Sequence, residues 1–220
     1  MTAAYDAIAD WYDKSVRKGV LVSADDLIAS ELFRSIGGIE GKEICDLACG
    51  QGIMARQIAA QGASVVCVDL SQRLLDIAQA EEAASPRGIT YIHEDAQSLV
   101  SIADTSFDGV LCNMALMDIP DLVATLRAVR RILRPGGWLA FTITHPCFQI
   151  PPTQGYFEEG FWRSDNPSGV RGQVGAHHRT LSTYLNALSE AGLALERISE
   201  PQLAGRDVPV VLAALCRRAG

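Results

Sequence analysis

Residues 46–69 combine residue types and a spacing that suit the binding of a nucleoside. Gly50 and Gly52 lie in a turn of small residues, between an apolar run and a stretch that favours helix. Glycine can adopt positive φ and lets a ligand approach the backbone closely, and the following helix offers free N–H groups at its start. Asp69 follows Gly50 by close to the ~20 residues that bring an acid to a ribose hydroxyl. A tight turn in any α/β domain, with an acid that merely ends a strand, would look the same.

The glycine pattern of dinucleotide-binding proteins, G-x-G-x-x-G, is not met in this turn. Ala48, Ile53 and Ala55 occupy positions at which that pattern would need a further glycine. This disfavours a nicotinamide-dependent oxidoreductase and leaves open which nucleoside cofactor the turn holds.

The turn must be positioned by an alternating series of strands and helices. Apolar runs predict strands over residues 44–47, 65–68, 89–93, 107–112, 138–144, 193–198 and 208–216. Helical patterns cover residues 3–16, 24–36, 53–61, 71–84, 120–133 and 180–191. This alternation predicts an α/β fold with a doubly wound, mostly parallel sheet that carries helices on both faces. The last two strands have no helix between them and predict an antiparallel hairpin at the C-terminal edge.

The composition is that of one ordinary domain without a nucleic-acid or membrane partner. The chain has 220 residues, 48% of them hydrophobic, and a net charge of −7 without a cluster of basic residues. We therefore expect a single domain, 1–220, that does not bind nucleic acid. Six cysteines occur without a C-x-x-C pair, which favours reduced thiols in the cytoplasm over disulfides or a metal site. No segment has the pattern of a secretory signal or reaches ~20 apolar residues.

Five short motifs follow one another along the chain: Asp46–Gly52, Val68–Asp69, Glu94–Ala96, Phe107–Asn113 and Leu133–Leu139. In order and spacing they resemble class I S-adenosylmethionine-dependent methyltransferases, and the opening Tyr5–Asp13 is similar to the small-molecule members of that family. The resemblance implies a Rossmann-like sheet of seven strands with an antiparallel C-terminal edge strand. It also implies S-adenosylmethionine as cofactor, S-adenosylhomocysteine as product, and direct transfer of the methyl group to nitrogen, oxygen or carbon of a small molecule.

The resemblance also implies which residues contact the cofactor. Those expected at its methionine part are Asp46, Ala48, Gly50 and Gly52, with Asp46 facing the amino group directly or through water. Asp69 is expected at the ribose hydroxyls. The adenine is expected to contact Leu70, Asp95 and Ala96. Asn113 and Met114 are expected beside the sulfonium. Tyr12 belongs to the N-terminal helices, residues 1–38, which either cover the cofactor or only pack against the sheet.

Three histidines are candidates for removing a proton from the acceptor: His145, His177 and His178. His145 comes directly after the fifth predicted strand, and Pro146 restricts it to extended backbone. His177 and His178 precede the next helix. Residues 145–179 read as a long loop rich in proline, glycine and aromatic residues, and we expect this segment to form a lid on the acceptor side. Each histidine could instead serve only to hold the loop.

Two other functions stay open at this point. The chain could be a nucleic-acid (tRNA or rRNA) methyltransferase, although residues 113–116 lack the Asn/Asp-Pro-Pro-Tyr/Phe pattern usual in base-modifying amino methyltransferases. It could also be a non-catalytic cofactor-binding protein of the same fold. We expect a monomer or a homodimer.

Overall fold

The computed structural model describes residues 3–18, 36–148, 155–202 and 205–220. At the N-terminus, a 3-10 helix (Ala4–Ile8) leads directly into α1 (Ala9–Arg17). The second predicted helix, over residues 24–36, lies outside the described residues except for its last position. Within the described ranges, no helix combines the length and the apolar character needed to cross a membrane.

The centre of the fold is a seven-stranded sheet, and a separate two-stranded sheet lies in the segment that follows the fifth strand. The strands are β1 (Glu43–Leu47), β2 (Ser64–Asp69), β3 (Thr90–His93), β4 (Phe107–Asn113), β5 (Leu133–Thr144), β6 (Gly160–Trp162), β7 (Ala176–His178), β8 (Leu193–Ser199) and β9 (Val211–Arg218). The order in the large sheet is β3-β2-β1-β4-β5-β9-β8. Strands β1 to β5 are parallel to one another, and β9 is antiparallel to both of its neighbours. The predicted mostly parallel α/β sheet is confirmed.

The predicted antiparallel hairpin of the last two strands lies at one edge of the sheet and is confirmed. One detail needs correction, because the C-terminal strand of this hairpin is not itself the edge strand. Strand β9 is inserted between β5 and β8, and β8 is the edge strand. The sequence explains this order. Residues 211–216 form an unbroken buried run, which is typical of a strand covered on both faces. Strand β8 carries Glu196 and Arg197 and is mostly exposed, as is usual for an edge.

Helices cover both faces of the large sheet, which makes the sheet doubly wound as predicted. They are α2 (Ile53–Ala60), α3 (Gln72–Ala84), α4 (Leu122–Ile132) and α6 (Leu181–Glu190). A further short helix, α5 (Val170–Gln173), precedes β7 in the chain. Leu126 and Leu188, from α4 and α6, share one buried apolar cluster with Phe141 of β5. Ile58 of α2 belongs to a second cluster with Ile44 of β1. The chain thus has one core on each side of the sheet.

The segment from 145 to 179 differs from the predicted loop. Strands β6 and β7 pair as an antiparallel hairpin in which Phe161 lies opposite His177, and α5 lies between these strands in the chain. Strands of three residues are too short to produce a recognisable alternation in sequence. Residues 149–154 of the segment lie outside the described ranges.

Candidate active site

A cavity of about 350 Å³ opens where several parallel strands end. Its size falls at the lower end of the ~300–1,000 Å³ typical of small-molecule sites. Nine of the predicted cofactor residues line it: Tyr12, Ala48, Gly50, Asp69, Leu70, Asp95, Ala96, Asn113 and Met114. Because β1, β2 and β4 are adjacent and parallel, their carboxyl ends bring these distant residues to one edge of the sheet. Asp46 and Gly52 are absent from the lining.

The turn after β1 has the conformation that its small residues suggest. Ala48, Gly50 and Gly52 have φ values of 55°, 56° and 78°, a left-handed region that favours glycine. A Cβ atom at Gly52 would lie 3.2 Å from the Tyr91 hydroxyl oxygen and 3.3 Å from the Ala78 Cβ. Gly52 therefore allows α2 to start close against its neighbours and does not itself reach the cavity.

Asp69 is held in place by backbone N–H groups on both sides of its carboxylate. The Gly50 N–H donates to Oδ2 and the Ser71 N–H donates to Oδ1, each with a donor–acceptor distance of 2.7 Å. Burial raises the pKa of Asp69, and these two hydrogen bonds oppose that rise. Each carboxylate oxygen keeps a lone pair for a further donor. The geometry is thus suited to two neighbouring hydroxyl groups, such as those of a ribose.

Asp46 lies behind the turn, almost completely buried at 1% exposure. Its Oδ2 atom has no hydrogen-bond partner among the described residues. Burial, and secondly the charge of Asp69, raise the pKa of Asp46 to about 7, while a hydrogen bond from the Ala55 N–H lowers it. A buried carboxylate oxygen without a donor is costly. An ammonium group, reaching it directly or through water, would supply the missing donor, so Asp46 and Asp69 together fit the amino acid and ribose parts of S-adenosylmethionine.

Asp95 and Ala96, after β3, line the cavity together with Gln97. The Asp95 carboxylate accepts hydrogen bonds of 2.9 to 3.0 Å from the backbone and side-chain nitrogens of Gln97. The Gln97 side chain in turn accepts from the backbone N–H of Asp121, at the start of α4. Gln97 thus orients the predicted adenine-binding acid, a role that the motif at residues 94–96 did not indicate.

The N-terminal segment forms another wall of the cavity. Tyr5 and Tyr12 both line it, and their rings pack edge to face with centroids 5.1 Å apart. Asp6 accepts hydrogen bonds from the Ser71 hydroxyl, at 2.7 Å, and from the Arg73 N–H, at 3.2 Å. These bonds attach the segment to the first turn of α3, directly beside Asp69. This placement favours the cavity-covering alternative for Tyr12 over packing alone.

Asp118 is a cavity residue that the sequence did not single out. Its Oδ2 accepts from the Tyr5 hydroxyl at 2.9 Å, and its Oδ1 pairs with the guanidinium of Arg171. Burial raises the pKa of Asp118, opposed by Arg171 and Tyr5. The carboxylate joins the N-terminal segment to α5. The one sequence signal for it was an acid within the otherwise apolar stretch 114–119.

Of the three candidate histidines, only His177 lines the cavity. Its backbone N–H donates to the Met117 carbonyl at 2.8 Å, which fixes β7 against the loop that follows β4. Its ring lies edge to face with Phe161 at a centroid distance of 5.3 Å. Burial, and then the charge of Arg179, lower the pKa of His177 below its usual value. The imidazole is therefore neutral at pH ~7 and able to accept a proton.

The structure places His145 and His178 outside the lining. His145 is buried; its Nδ1 accepts from the Cys147 N–H at 3.1 Å, so the proton lies on Nε2, which donates to Glu200 at 2.8 Å. His178 is buried with its Nε2 at 2.9 Å from the Tyr156 carbonyl oxygen. Both rings hold loops together. This geometry argues against the predicted contact of His145 with the transferring methyl group, because the backbone bond from His145 to Val210 turns the residue towards β9.

Residues 45–141 match the family described as "Methyltransferase domain". A ubiquinone biosynthesis O-methyltransferase from Aromatoleum aromaticum is 33% identical over 139 residues, which cover 63% of this chain and 59% of that enzyme. The chain thus spans less than two thirds of the length of the curated relatives that it matches first.

Solved structures match over nearly the whole chain. A TehB-like methyltransferase from Corynebacterium glutamicum is 19% identical, with a TM-score of 0.66 and coverage of 96% of this chain and 98% of the other, which shows the shared fold. An S-adenosylmethionine-dependent methyltransferase from Mesorhizobium loti is 31% identical, with a TM-score of 0.75 and coverage of 86% of this chain and 96% of that one. With the cavity and its motif residues, this likeness identifies the chain as a member of the S-adenosylmethionine-dependent methyltransferase family.

Proposed function

We propose that the protein transfers the methyl group of S-adenosylmethionine to a small-molecule acceptor. The observation that carries this proposal is a single cavity with two kinds of lining. Asp69, Asp95 and the turn at Gly50 lie along one part, and Phe161 and His177 of the β6–β7 hairpin lie along another. In this proposal the cofactor lies along the first part, and the acceptor lies beside the hairpin.

The residues fit the cofactor on independent grounds, namely the donorless Asp46 oxygen and the two free acceptor positions of Asp69. When bound, S-adenosylmethionine supplies an electrophilic methyl group on a positively charged sulfur. The chain's own contribution is to place the acceptor in line with that group and to keep water out. Asn113 and Met114 suit the neighbourhood of the sulfur, since they line the cavity at the end of β4.

Thr142 holds these two residues in position. Its hydroxyl donates to the Asn113 side chain at 2.6 Å, and its hydroxyl and carbonyl oxygens both lie 3.0 Å from the Met114 N–H. Met114 has a φ of 53°, a strained conformation for a residue with a side chain, of the kind that accumulates at functional sites. A fixed strand end provides the pre-organised geometry that a displacement reaction requires.

His177 is the proposed proton acceptor for a hydroxyl or ammonium substrate. Neither ring nitrogen has a hydrogen-bond partner among the described residues, and the lowered pKa keeps one nitrogen unprotonated at neutral pH. The proton released by the acceptor would pass to that nitrogen. His145 and His178 are committed to structural hydrogen bonds and are not part of this proposal.

The wider predictions about the protein belong to the same proposal. Residues 1–38 and 145–179 would act as cavity walls of one catalytic domain, 1–220, and the protein would work as a monomer or homodimer. All six cysteines are free, which supports a reducing, cytoplasmic location.

The test is to incubate the protein with S-adenosylmethionine and a metabolite extract, and to measure both S-adenosylhomocysteine and products that gain a methyl mass. His177→Gln should lower turnover strongly while leaving cofactor affinity nearly unchanged. His178→Gln is the matched control, because it changes the adjacent histidine and keeps a donor towards Tyr156. Cofactor binding without any product would favour the non-catalytic alternative. Methylation of tRNA or rRNA in place of metabolites would favour the nucleic-acid alternative.

A further inference from the structure

The hairpin presents an aromatic ring to the cavity that is fixed in place and still largely open. Phe161 lines the cavity at 54% exposure. Gly175, with φ of 76°, lies directly against it: a Cβ atom at 175 would be 2.4 Å from the Phe161 Cζ atom. The glycine therefore lets the ring pack on the backbone of the opposite strand, while His177 contacts the ring edge to face. The remaining surface of the ring is an apolar plane on which a second planar group can stack.

A guanidinium group lies over part of this ring. The Arg163 Cζ atom is 5.8 Å from the Phe161 ring centroid, and its Nη1 donates to the Gln173 carbonyl at 2.7 Å, which fixes its direction. A guanidinium has five N–H donors, and this is the one hydrogen bond that Arg163 makes within the described residues. No carboxylate there pairs with it. Arg163 is also the one Arg or Lys in the described lining of the cavity.

The two other arginines of this region are already engaged. Arg171 pairs with Asp118 and donates to the Gly175 carbonyl at 3.1 Å. Arg179 donates to three backbone carbonyls in the loop after β4, at Leu116, Ile119 and Pro120. These side chains build the wall, which leaves Arg163 as the free cation of the described lining. Its fork of donors suits a carboxylate, which it can bind through two parallel hydrogen bonds.

From these placements we propose that the methyl acceptor is an aromatic carboxylic acid. Its ring stacks on Phe161, its carboxylate binds Arg163, and its nucleophilic group faces His177. This rests on the proposed function, since it assigns the acceptor class of the same cavity. The cofactor carries a carboxylate too, and the same guanidinium chemistry would suit it, so the experiment must separate these two sources.

The experiment measures binding, so it does not depend on turnover. Calorimetric titrations use 3-hydroxybenzoate and its neutral match 3-hydroxybenzamide, with and without saturating S-adenosylhomocysteine. They are repeated on Arg163→Gln, Arg163→Lys and Arg206→Gln. Arg206 is the matched control, because its guanidinium also lies over an aromatic ring, that of Phe148 at 5.5 Å, and it is not part of the cavity lining. At ordinary ligand efficiency the benzoate should bind in the roughly millimolar range.

We expect the wild type and Arg206→Gln to bind the benzoate about tenfold or more tightly than the benzamide. Arg163→Gln should lose this preference, and Arg163→Lys should retain part of it. The inference is overturned if the wild type shows no preference, if neither probe binds, or if Arg163→Gln keeps the preference. It is also overturned if Arg163→Gln weakens the binding of S-adenosylhomocysteine in the absence of either probe, since the arginine would then bind the cofactor carboxylate. Failure of S-adenosylhomocysteine to bind the wild type would instead refute the proposed function.

Discussion

Replacing Asp46 by asparagine should raise the stability of the cofactor-free protein relative to wild type as pH rises from ~5 to ~8, and should weaken cofactor binding. Burial raises the pKa of Asp46 from 3.8 to about 7. A carboxyl group whose pKa is raised on folding stabilises the fold fully below its unfolded pKa, and this stability is lost as pH rises through the folded pKa. The amide of the Asp46→Asn variant cannot ionise, so the variant escapes this loss, and its side-chain oxygen can still accept the hydrogen bond from the Ala55 N–H.

The size of the effect follows from the shift. Between pH ~5 and pH ~8, a group that titrates near 7 when folded and near 4 when unfolded loses roughly 2–3 kcal/mol of stabilisation, at about 1.36 kcal/mol per pKa unit. The unfolding free energy of Asp46→Asn relative to wild type should therefore rise by that amount over the same range. Comparing two pH values removes the constant cost or gain of the amide itself, including any new donor left unpaired.

The assay is urea unfolding of both proteins at the two pH values, without cofactor. Asp108→Asn is the matched control, for which no change between the two pH values is expected. Burial raises the pKa of Asp108, but the Glu43 N–H and the Arg134 guanidinium outweigh it and hold the pKa below its usual value. Its stabilisation is present above the unfolded pKa and is lost only as pH falls through the lower folded pKa, below the range of the assay. Asp108→Asn should therefore destabilise by about the same amount at pH ~5 and at pH ~8. An Asp46→Asn variant that gains nothing between pH ~5 and pH ~8 would refute the reasoning.

Three further outcomes are expected. Asp69→Ala should weaken the binding of S-adenosylhomocysteine at least about tenfold, as measured by calorimetry. Two charge-assisted hydrogen bonds worth roughly 1.5–3 kcal/mol each are lost, less what water replaces. Unchanged affinity would show that Asp69 does not bind the ribose. Turnover should be flat at neutral pH and fall only below the usual imidazole pKa of ~6.5, because the pKa of His177 is lowered and protonation removes the base. A fall that begins above pH ~7 would contradict this assignment. Tyr5→Phe should reduce the unfolding free energy by about 1–2 kcal/mol, since Asp118 loses the hydrogen bond from Tyr5 and keeps its pairing with Arg171. An unchanged urea midpoint would show that the Tyr5–Asp118 hydrogen bond contributes nothing to stability.

The cofactor side of the site could be predicted from sequence because its determinants are local. Asp69 and Asn113 end parallel strands and Gly50 lies in the turn that leads into α2, so their relative positions follow from the strand–turn–helix pattern alone. The order of the last two strands in the sheet could also have been predicted from the sequence. The unbroken apolar run of β9 marks it as internal, and the charged residues of β8 mark it as an edge.

The hairpin side could not be predicted, because its geometry depends on contacts between distant residues. His145 and His177 look alike in sequence, as each flanks the lid segment. What separates them is the backbone bond of His145 to Val210 and that of His177 to Met117. Asp118 was missed for the same reason, since its meaning appears only when Tyr5 and Arg171 reach it from two other parts of the chain. Contacts between such distant residues produce no periodic pattern in the sequence.

The insertion of β9 between β5 and β8 has a consequence for how the protein is made. Among the described residues, strand β8 pairs with the rest of the large sheet only through β9. Strand β9 is the later of the two to leave the ribosome. During translation β8 therefore has no partner strand, and its backbone N–H and C=O groups stay available for improper pairing until β9 emerges. This side of the sheet can form only after residues 211–218 have been synthesised. A chain that stalls before residue 211 would also leave β5 unpaired on the side that β9 occupies in the complete fold.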